Sequence, residues 1–187
     1  MIEVTLPDGS NLEVEENSTI EDVAYKIGTG LGDATVAGKI NGNLVAKEDQ
    51  VSDSDEIEIV TPQSEEYLEV LRHSAAHVFA QALKRIYGDQ VKLTIGPWTD
   101  EGFYYDIDGI ELEKSDFKQI EDEMEKIVEE DLEIEREMIS RDEAEDFFED
   151  NEYKTQILNE EASEGDEISF YKQGEFRDLC KGPHVES

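Results

Sequence analysis

The side chains best suited to acid–base, nucleophilic or metal chemistry are concentrated in two short segments. All three histidines and the only cysteine of this 187-residue chain fall within them. The first segment is HSAAH at residues 73–77, and the second is CKGPH at residues 180–184. A chain this poor in both residue types is not expected to gather all four by chance. The candidate site residues are therefore His73, His77, Cys180 and His184.

Within each segment, the spacing places the two candidates on one face. Positions i and i+4 of a helix lie on the same side, so a helix over residues 73–77 aligns His73 with His77. Alternate residues of an extended segment share a face, so Cys180 and His184 are aligned as well. If the two segments meet in the fold, three imidazoles and one thiol converge on one small volume.

Three kinds of chemistry fit this set of side chains. Histidines together with a cysteine are zinc ligands, although a helix facing a distant loop differs from the tight pairs of a zinc finger. Cys180 could instead be a nucleophile whose thiol proton is taken by a histidine. A histidine could also activate a water molecule. Each segment alone fits equally well with structural histidines and a small buried cysteine.

Acidic residues dominate the composition. The chain has 50 acidic and 16 basic residues and a formal net charge of −34. This net charge is −11 up to Thr61 and −23 beyond it, so the acidity is not confined to a tail. Clear apolar periodicity argues against disorder, and an acidic mimic of nucleic acid would be uncommon. We interpret the chain as a folded protein of a high-salt cytoplasm, where the screening length is about 3 Å at 1 M salt. Any binding of a polyanion would then depend on local contacts.

Cysteine usage and hydropathy point to the cytoplasm. One cysteine cannot form an internal disulfide, which suits a reducing compartment. No apolar run approaches the length of a membrane-spanning helix. The N-terminus lacks the basic and apolar regions of a secretory signal. We therefore predict a cytoplasmic protein with no membrane partner.

Residues 1–61 read as a small β-rich domain. Alternating apolar residues on both sides of the PDGS turn at residues 7–10 predict a hairpin. Ser18 or Thr19 is expected to cap a helix that ends near Gly28. Three further strands follow, and the order ββαβββ predicts a β-grasp, ubiquitin-like fold.

Residues 62–187 read as a second domain of the α+β class. A long amphipathic helix starts near Ser64, stops at Gly88 and carries both histidines of the first segment. The other predicted elements are a strand at 91–95, a returning strand at 102–106, a helix at 117–128, a strand at 134–139, two short helices near 144–148 and 153–158, and strands opening at Ile168 and Phe176. The last strand delivers Cys180.

Three other side chains have ordinary interpretations on the residues alone. The aromatic residues of GFYYD at 102–106, Tyr104 among them, are predicted to pack in a core. Lys154 follows an acidic segment and is predicted to be a solvated charge. Asp178 beside Arg177 is predicted to form a surface ion pair of small energetic value.

These motifs together identify a resemblance. The whole chain resembles the N-terminal half of threonyl-tRNA synthetases of the bacterial type, from a salt-loving organism. Residues 1–61 resemble the TGS domain, and residues from about 64 onward resemble the editing domain, which is related to that of alanyl-tRNA synthetases. The segments that carry the match are GKING at 38–42, HSAAH at 73–77, GFYYD at 102–106, YK at 153–154 and DLCKGPH at 178–184.

The resemblance implies an activity and a set of site residues. Editing domains of this family hydrolyse serine from tRNA(Thr) that was wrongly charged with it. Catalytic roles are implied for His73, His77, Lys154, Cys180 and His184, and substrate-binding roles for Tyr104 and Asp178. Relatives in alanyl-tRNA synthetases hold zinc with an equivalent set, whereas threonyl editing domains are generally described without a metal. No cofactor is therefore certain, and zinc at His73, His77, Cys180 and His184 stays open.

The resemblance also implies what to expect beyond these residues. Ligation of threonine to tRNA is expected only from a catalytic domain that this chain does not contain, and family members are expected to form homodimers through regions absent here. We expect the chain to be a piece of a longer enzyme rather than a free-standing editing factor. Two other functions stay open, namely a free-standing zinc-dependent aminoacyl-tRNA hydrolase and a non-catalytic tRNA-docking module.

Overall fold

The protein forms two compact units. The computed structural model describes residues 1–163 and 165–187, without the side chain of Glu161. The first unit comprises Met1–Leu71 and Gly182–Val185, and the second comprises Arg72–Lys181 and Glu186–Ser187. In the described ranges, no helix combines the length and apolar character needed to cross a bilayer. The domain limits 1–61 and 62–187 stay a prediction.

The first unit contains a β-grasp arrangement. Its elements are β1 (Ile2–Thr5), β2 (Asn11–Val14), α1 (Ile20–Ile27), α2 (Thr29–Gly32), β3 (Ala37–Ile40), β4 (Asn43–Ala46) and β5 (Ile57–Val60). Strands β1 and β2 form an antiparallel hairpin, and β3 pairs with both β4 and β5. A parallel bridge between Thr5 and Glu56 connects β1 with the strand that starts at Ile57. The predicted order ββαβββ is confirmed, with the short α2 added after the helix.

Local sequence explains how α1 is placed on this sheet. Thr19 accepts a hydrogen bond from the backbone N–H of Asp22, and the Asp22 side chain accepts from the Thr19 backbone, which is a complete capping box. The apolar face of α1 packs with strand residues Val4, Val14 and Ile57 in one buried cluster. Gly38 permits this packing, because a Cβ there would lie 2.5 Å from Ile20 Cγ2.

The second unit combines helices with a three-stranded sheet. Its elements are α3 (Tyr67–Tyr87), a 3-10 turn (Gly88–Gln90), β6 (Lys92–Leu93), β7 (Trp98–Thr99), β8 (Gly102–Phe103), β9 (Ile107–Asp108), α4 (Phe117–Glu129), β10 (Ile134–Ser140), α5 (Arg141–Phe147), α6 (Glu152–Glu161), β11 (Glu167–Gln173) and β12 (Phe176–Leu179). The first residues of α3, up to Leu71, are assigned to the first unit. Strands β10, β11 and β12 are antiparallel in that order. The predicted helices and the last three strands are confirmed.

The apolar face of α3 is held against α4. Leu83 of α3 and Ile127 of α4 are fully buried in one cluster. Burial of a side chain of this size stabilises the fold by about 1.5–3 kcal/mol. At the end of α3, Arg85 donates two hydrogen bonds of 2.7 and 2.8 Å to Glu130, just after α4, and two of 2.5 and 3.1 Å to Glu175. The C-terminal part of the helix that carries the two histidines is therefore fixed against α4.

The sheet forms the second side of this unit. Phe170 of β11 is fully buried and stacks on Phe148, with ring centroids 5.4 Å apart. Leu158 of α6 belongs to the same buried cluster. Helix α6 therefore lies on the sheet, and the end of β12 is brought close to it.

Two predictions of extended structure are wrong. The chain from 102 to 106 is not one strand, because the regular pairing ends at Phe103 and resumes at Ile107. Tyr104 still donates its backbone N–H to Pro97, but Pro97 has no N–H to return and so cannot continue a ladder. The described residues 180–187 also contain no strand. Gly182 has a φ of +71°, so the alternation that would align Cys180 with His184 does not apply.

Candidate functional site

Helix α3 places two histidines side by side. His73 and His77 are one helical turn apart, and their ring centroids lie 5.5 Å from each other with the rings nearly perpendicular. His77 is buried and its ring also contacts Phe176 of β12 edge to face, at 5.9 Å. This confirms the prediction that both imidazoles lie on one face of a helix.

Cys180 lies against the first of these histidines. Its Sγ atom is 3.2 Å from Nε2 of His73, a distance at which thiol and imidazole can share a proton. Cys180 follows β12 directly, and its thiol is buried. One ligand atom from each of His73, His77 and Cys180 lies within 4.8 Å of the others. The two sequence segments therefore meet, as predicted, for these three residues.

The electrostatic environment keeps His77 neutral. Burial lowers the pKa of His77 well below its ordinary value, and the nearby charges of His73 and Lys154 lower it further. A neutral imidazole has one ring nitrogen with a lone pair, which is the atom that accepts a proton or binds a metal ion. His77 is therefore a candidate base or ligand at neutral pH.

Lys154 and Asp178 form a buried ion pair. Lys154 Nζ lies 2.8 Å from Asp178 Oδ2, and the two side chains are only 5% and 4% exposed. Lys154 is set in the first turn of α6, where the Asn151 side chain accepts from the Lys154 backbone N–H and caps the helix. Asn151 also donates to the carbonyl of Leu93, which ties this helix start to β6. The predictions of a solvated Lys154 and a surface pair at Asp178 are therefore wrong.

The two neighbouring tyrosines, Tyr104 and Tyr105, point in opposite directions, one to solvent and one to the interior. Tyr104 is 54% exposed, whereas Tyr105 is turned inward and its hydroxyl donates to Asp178 Oδ2 at 3.3 Å. Burial raises the pKa of Tyr105 well above its ordinary value, and the charges of Asp178 and Cys180 act in the same direction. Core packing is therefore observed for Tyr105 and not for Tyr104. Alternation with the inward residues Phe103 and Ile107 is the sequence signal that could have identified Tyr105.

One cavity of about 540 Å³ collects most of these groups. His73, His77, Lys154, Asp178 and Cys180 all line it. Among the described residues, its lining includes Tyr105 but not Tyr104. Sequence reasoning did not identify the remaining wall, which includes Pro97, Trp98, Ile157 and Ser169. A second cavity of about 800 Å³ is also lined by Lys154 and Asp178, but it contains neither the imidazoles nor the thiol among its described residues.

The remaining predicted residue is His184. It is buried, and it lies in the short range Gly182–Val185 that groups with the first unit. Its participation in the site stays a prediction.

The three residues of the second unit suit a zinc ion by their chemistry. Two imidazoles and a thiol are typical zinc donors, and ligands of a tetrahedral zinc lie about 3.5 Å from one another given metal–ligand distances of about 2.0–2.3 Å. The His73–Cys180 distance of 3.2 Å already meets this spacing. The donor atoms of the whole set lie within 4.8 Å of one another. The most distant of them would have to approach by about an ångström to reach the spacing of zinc ligands, and side-chain rotation can supply this movement. A neutral His77 is in the protonation state that a metal requires.

Comparisons with known proteins agree with this architecture. Residues 2–61 match the model of the TGS domain. Over 186 residues the chain is 62% identical to a threonine–tRNA ligase of Haloarcula marismortui and 57% identical to one of Halobacterium salinarum. Over 187 residues it is 47% identical to a threonine–tRNA ligase of Staphylococcus carnosus. Each match covers 100% of this chain and 29% of the relative, so the chain spans less than a third of the length of these relatives.

Proposed function

The chain corresponds over its whole length to the N-terminal region of threonine–tRNA ligases and begins with a TGS domain, and from this premise we propose that it hydrolyses tRNA(Thr) that carries serine. One observation carries the proposal. A thiol–imidazole pair, a neutral buried imidazole and a buried ammonium–carboxylate pair line a single cavity. Convergent groups of perturbed ionisation in a cavity are typical of catalytic sites.

A hydrolytic site of this kind is needed because a synthetic site cannot discriminate well between serine and threonine. Serine differs from threonine by one missing methyl group and has the same hydroxyl, so a synthetic site built for threonine cannot exclude serine by a clash. A missing methyl is worth about 1–3 kcal/mol, which limits selectivity to roughly 10–200-fold. A second pocket can reverse the selection, because it admits serine and rejects the extra methyl of threonine.

The reaction we propose is attack of water on the seryl ester. The terminal adenosine of the tRNA places the ester in the cavity, and a histidine of α3 takes a proton from the attacking water. His77 is the better supported base because burial keeps its ring neutral. The water oxygen bonds to the carbonyl carbon, and the bond from that carbon to the ribose oxygen breaks. The histidine gives its proton to the leaving ribose oxygen, so the products are free serine and a tRNA with its terminal ribose hydroxyl restored.

The ion pair supplies electrostatic stabilisation in this scheme. The Lys154 ammonium stabilises the negative charge that develops on the carbonyl oxygen or on the leaving ribose oxygen. Asp178 holds Lys154 and, on its cavity side, the amino group of the substrate. A substrate-binding role for the exposed Tyr104, which is outside the described lining of the cavity, and a catalytic role for His184 are part of the proposal, and Cys180 forms part of the cavity wall beside His73.

A strongly acidic chain must bind tRNA through local contacts. We propose a high-salt cytoplasm as its environment, since a net charge of −34 would repel a polyanion at low ionic strength. Attachment of threonine to tRNA is assigned to parts of the longer ligase outside these residues, and homodimerisation likewise. A docking or regulatory role is proposed for the TGS domain.

A zinc-dependent hydrolase is the second candidate, favoured by the donor set of His73, His77 and Cys180. These side chains, with His184 as a fourth, would hold the ion. Bound zinc would make a water molecule more acidic. Metal analysis of the purified chain separates the two candidates, because only this one requires about one zinc per chain.

Hydrolysis by variants tests the proposal. We expect His73→Ala and Cys180→Ala each to lower the release of serine from seryl-tRNA in molar salt by at least about tenfold. Lys118→Ala is the control, since Lys118 is 82% exposed and pairs with Asp122 on the surface. Unchanged rates in both site variants would refute the site. Absent hydrolysis with persistent tRNA binding would favour the non-catalytic docking module.

A further inference from the structure

Tyr105 is built into the wall of the cavity by its neighbours on both sides. Its ring packs against Phe79 of α3, with centroids 6.1 Å apart. On the other side, a Cβ at Gly96 would lie 2.2 Å from Tyr105 Cδ2, so only glycine leaves room for the ring. The ring therefore occupies a slot between a helix and the loop after β6, and its hydroxyl has one fixed direction.

That direction ends on the carboxylate of the buried ion pair. Asp178 Oδ2 accepts from Lys154 Nζ at 2.8 Å and from the Tyr105 hydroxyl at 3.3 Å. Asp178 Oδ1 accepts from the backbone N–H of Leu179 at 2.8 Å. Three donors from three separate parts of the unit therefore fix one carboxylate. Without Tyr105, the hydrogen bonds that remain on this carboxylate in the described part of the chain are those from Lys154 and from the Leu179 backbone.

We propose that Tyr105 is a positioning residue, which fixes the Asp178 carboxylate and through it holds the Lys154 ammonium at the cavity wall. Its effect on catalysis rests on the proposed hydrolysis, whereas its effect on the ion pair does not. The buried environment of Tyr105 keeps its hydroxyl protonated, so the hydroxyl can always donate a hydrogen bond. Burial raises the pKa of Tyr105 well above its ordinary value, so the hydroxyl keeps its proton throughout the neutral range. Tyr104, which is exposed, cannot take this place.

The first test observes the ion pair directly and needs no substrate. Nitrogen NMR of the Lys154 ammonium in the whole chain reports how well the pair is shielded from water. Tyr105→Phe keeps the ring in its slot and removes only the hydroxyl. We expect the ammonium protons of this variant to exchange with water about ten times faster, because a loosened carboxylate opens the pair to solvent. Equal exchange in the variant and the unaltered chain would overturn the proposal.

A matched control distinguishes positioning from loss of any tyrosine hydroxyl. The Tyr153 hydroxyl donates to Asp108 Oδ2 at 2.9 Å, but this pair is exposed and does not line the cavity in the described part of the chain. Tyr153→Phe is expected to leave the exchange of the Lys154 ammonium unchanged. An equal acceleration in both variants would mean a general loosening of the fold and would also overturn the proposal.

The second test measures hydrolysis of seryl-tRNA. Because Lys154 is assigned to charge that develops in the transition state, we expect Tyr105→Phe to lower kcat about tenfold while KM changes by less than about threefold. Tyr153→Phe should retain full activity. A normal kcat in Tyr105→Phe would overturn the proposed effect of Tyr105 on catalysis, but not its proposed effect on the ion pair. If the unaltered chain hydrolyses nothing, the proposed function fails, and ammonium exchange still decides whether Tyr105 positions the pair.

Discussion

Sγ of Cys180 lies 3.2 Å from Nε2 of His73, although 107 residues separate the two in sequence. The contact exists because α3 and the end of β12 are each fixed by a buried cluster, one around Leu83 and one around Phe170. Neither segment contributes more than a pair of reactive side chains by itself. The candidate site is therefore a product of tertiary structure, and substitutions that leave both clusters intact can test it.

The buried ion pair predicts a large loss of stability when one partner is removed. Lys154→Met leaves the Asp178 carboxylate uncompensated at 4% exposure. We expect the free energy of unfolding to fall by about 3–5 kcal/mol. Urea denaturation at constant molar salt measures it. Lys118→Ala is the control, because an exposed pair contributes roughly 0–1 kcal/mol. A similar small loss in Lys154→Met would show that the pair is solvated.

Zinc affinity is predicted to depend on both segments at once. If the donor set holds zinc, titration should give one site per chain, and Cys180→Ser should weaken binding by at least about tenfold because a thiolate donor is lost. His77→Gln should weaken it comparably. Calorimetric titration with zinc measures both effects. Absence of binding by the unaltered chain, or equal binding by all three proteins, would contradict the zinc candidate.

Pattern and capping predicted much of the fold. The hairpin, the Thr19 cap, the long helix and the last three strands are all found, because each depends on a local signal such as alternation or a capping residue. The segment at 102–106 was predicted as one strand, but only Gly102–Phe103 is a strand, and the next strand begins at Ile107. Its pairing is interrupted by Pro97 on the opposite segment, and partner residues of this kind cannot be read from the strand itself.

The rate of hydrolysis is predicted to be insensitive to mild acid. Burial lowers the pKa of His77 well below its ordinary value of 6.5, so the folded protein keeps this imidazole neutral at pH 6. If His77 is the base, kcat should stay constant from about pH 8 to pH 6 and should fall only at more acid pH. Rates measured at constant molar salt, with circular dichroism as the control for folding, test this. A half-loss of kcat near pH 6.5 would contradict the assignment.

Tyr105 is predicted to limit stability in alkali. Its folded pKa is raised well above the ordinary value of 10.0, whereas the unfolded chain releases the proton near that value. The stabilisation is complete below about pH 10 and is lost as pH rises toward the folded pKa. Tyr105→Phe should therefore lose less stability than the unaltered chain between about pH 9 and 11. Denaturation at these pH values checks it, and Tyr104→Phe is the control. Parallel losses in all three proteins would contradict it.

Composition was enough to predict the histidines and the cysteine of the site. It was not enough to predict the charged and aromatic side chains that surround them. His73, His77 and Cys180 were selected because their residue types are rare in this chain. Lys154 and Asp178 were read from the residues alone as surface charges, since nothing near them in sequence shows that α6 and β12 bring them to 2.8 Å in the interior. Alternation with Phe103 and Ile107 could have shown that Tyr105 points inward, but not that Gly96 and Phe79 form the slot that directs its hydroxyl to Asp178.

The central claim is that the cavity selects serine for removal. The most direct measurement compares the hydrolysis of seryl-tRNA(Thr) and threonyl-tRNA(Thr) by the unaltered chain in molar salt. The account predicts release of serine at least about tenfold faster than release of threonine, and loss of this activity in His73→Ala. Equal rates for the two substrates, or serine release that is unchanged in both His73→Ala and Cys180→Ala, would contradict it.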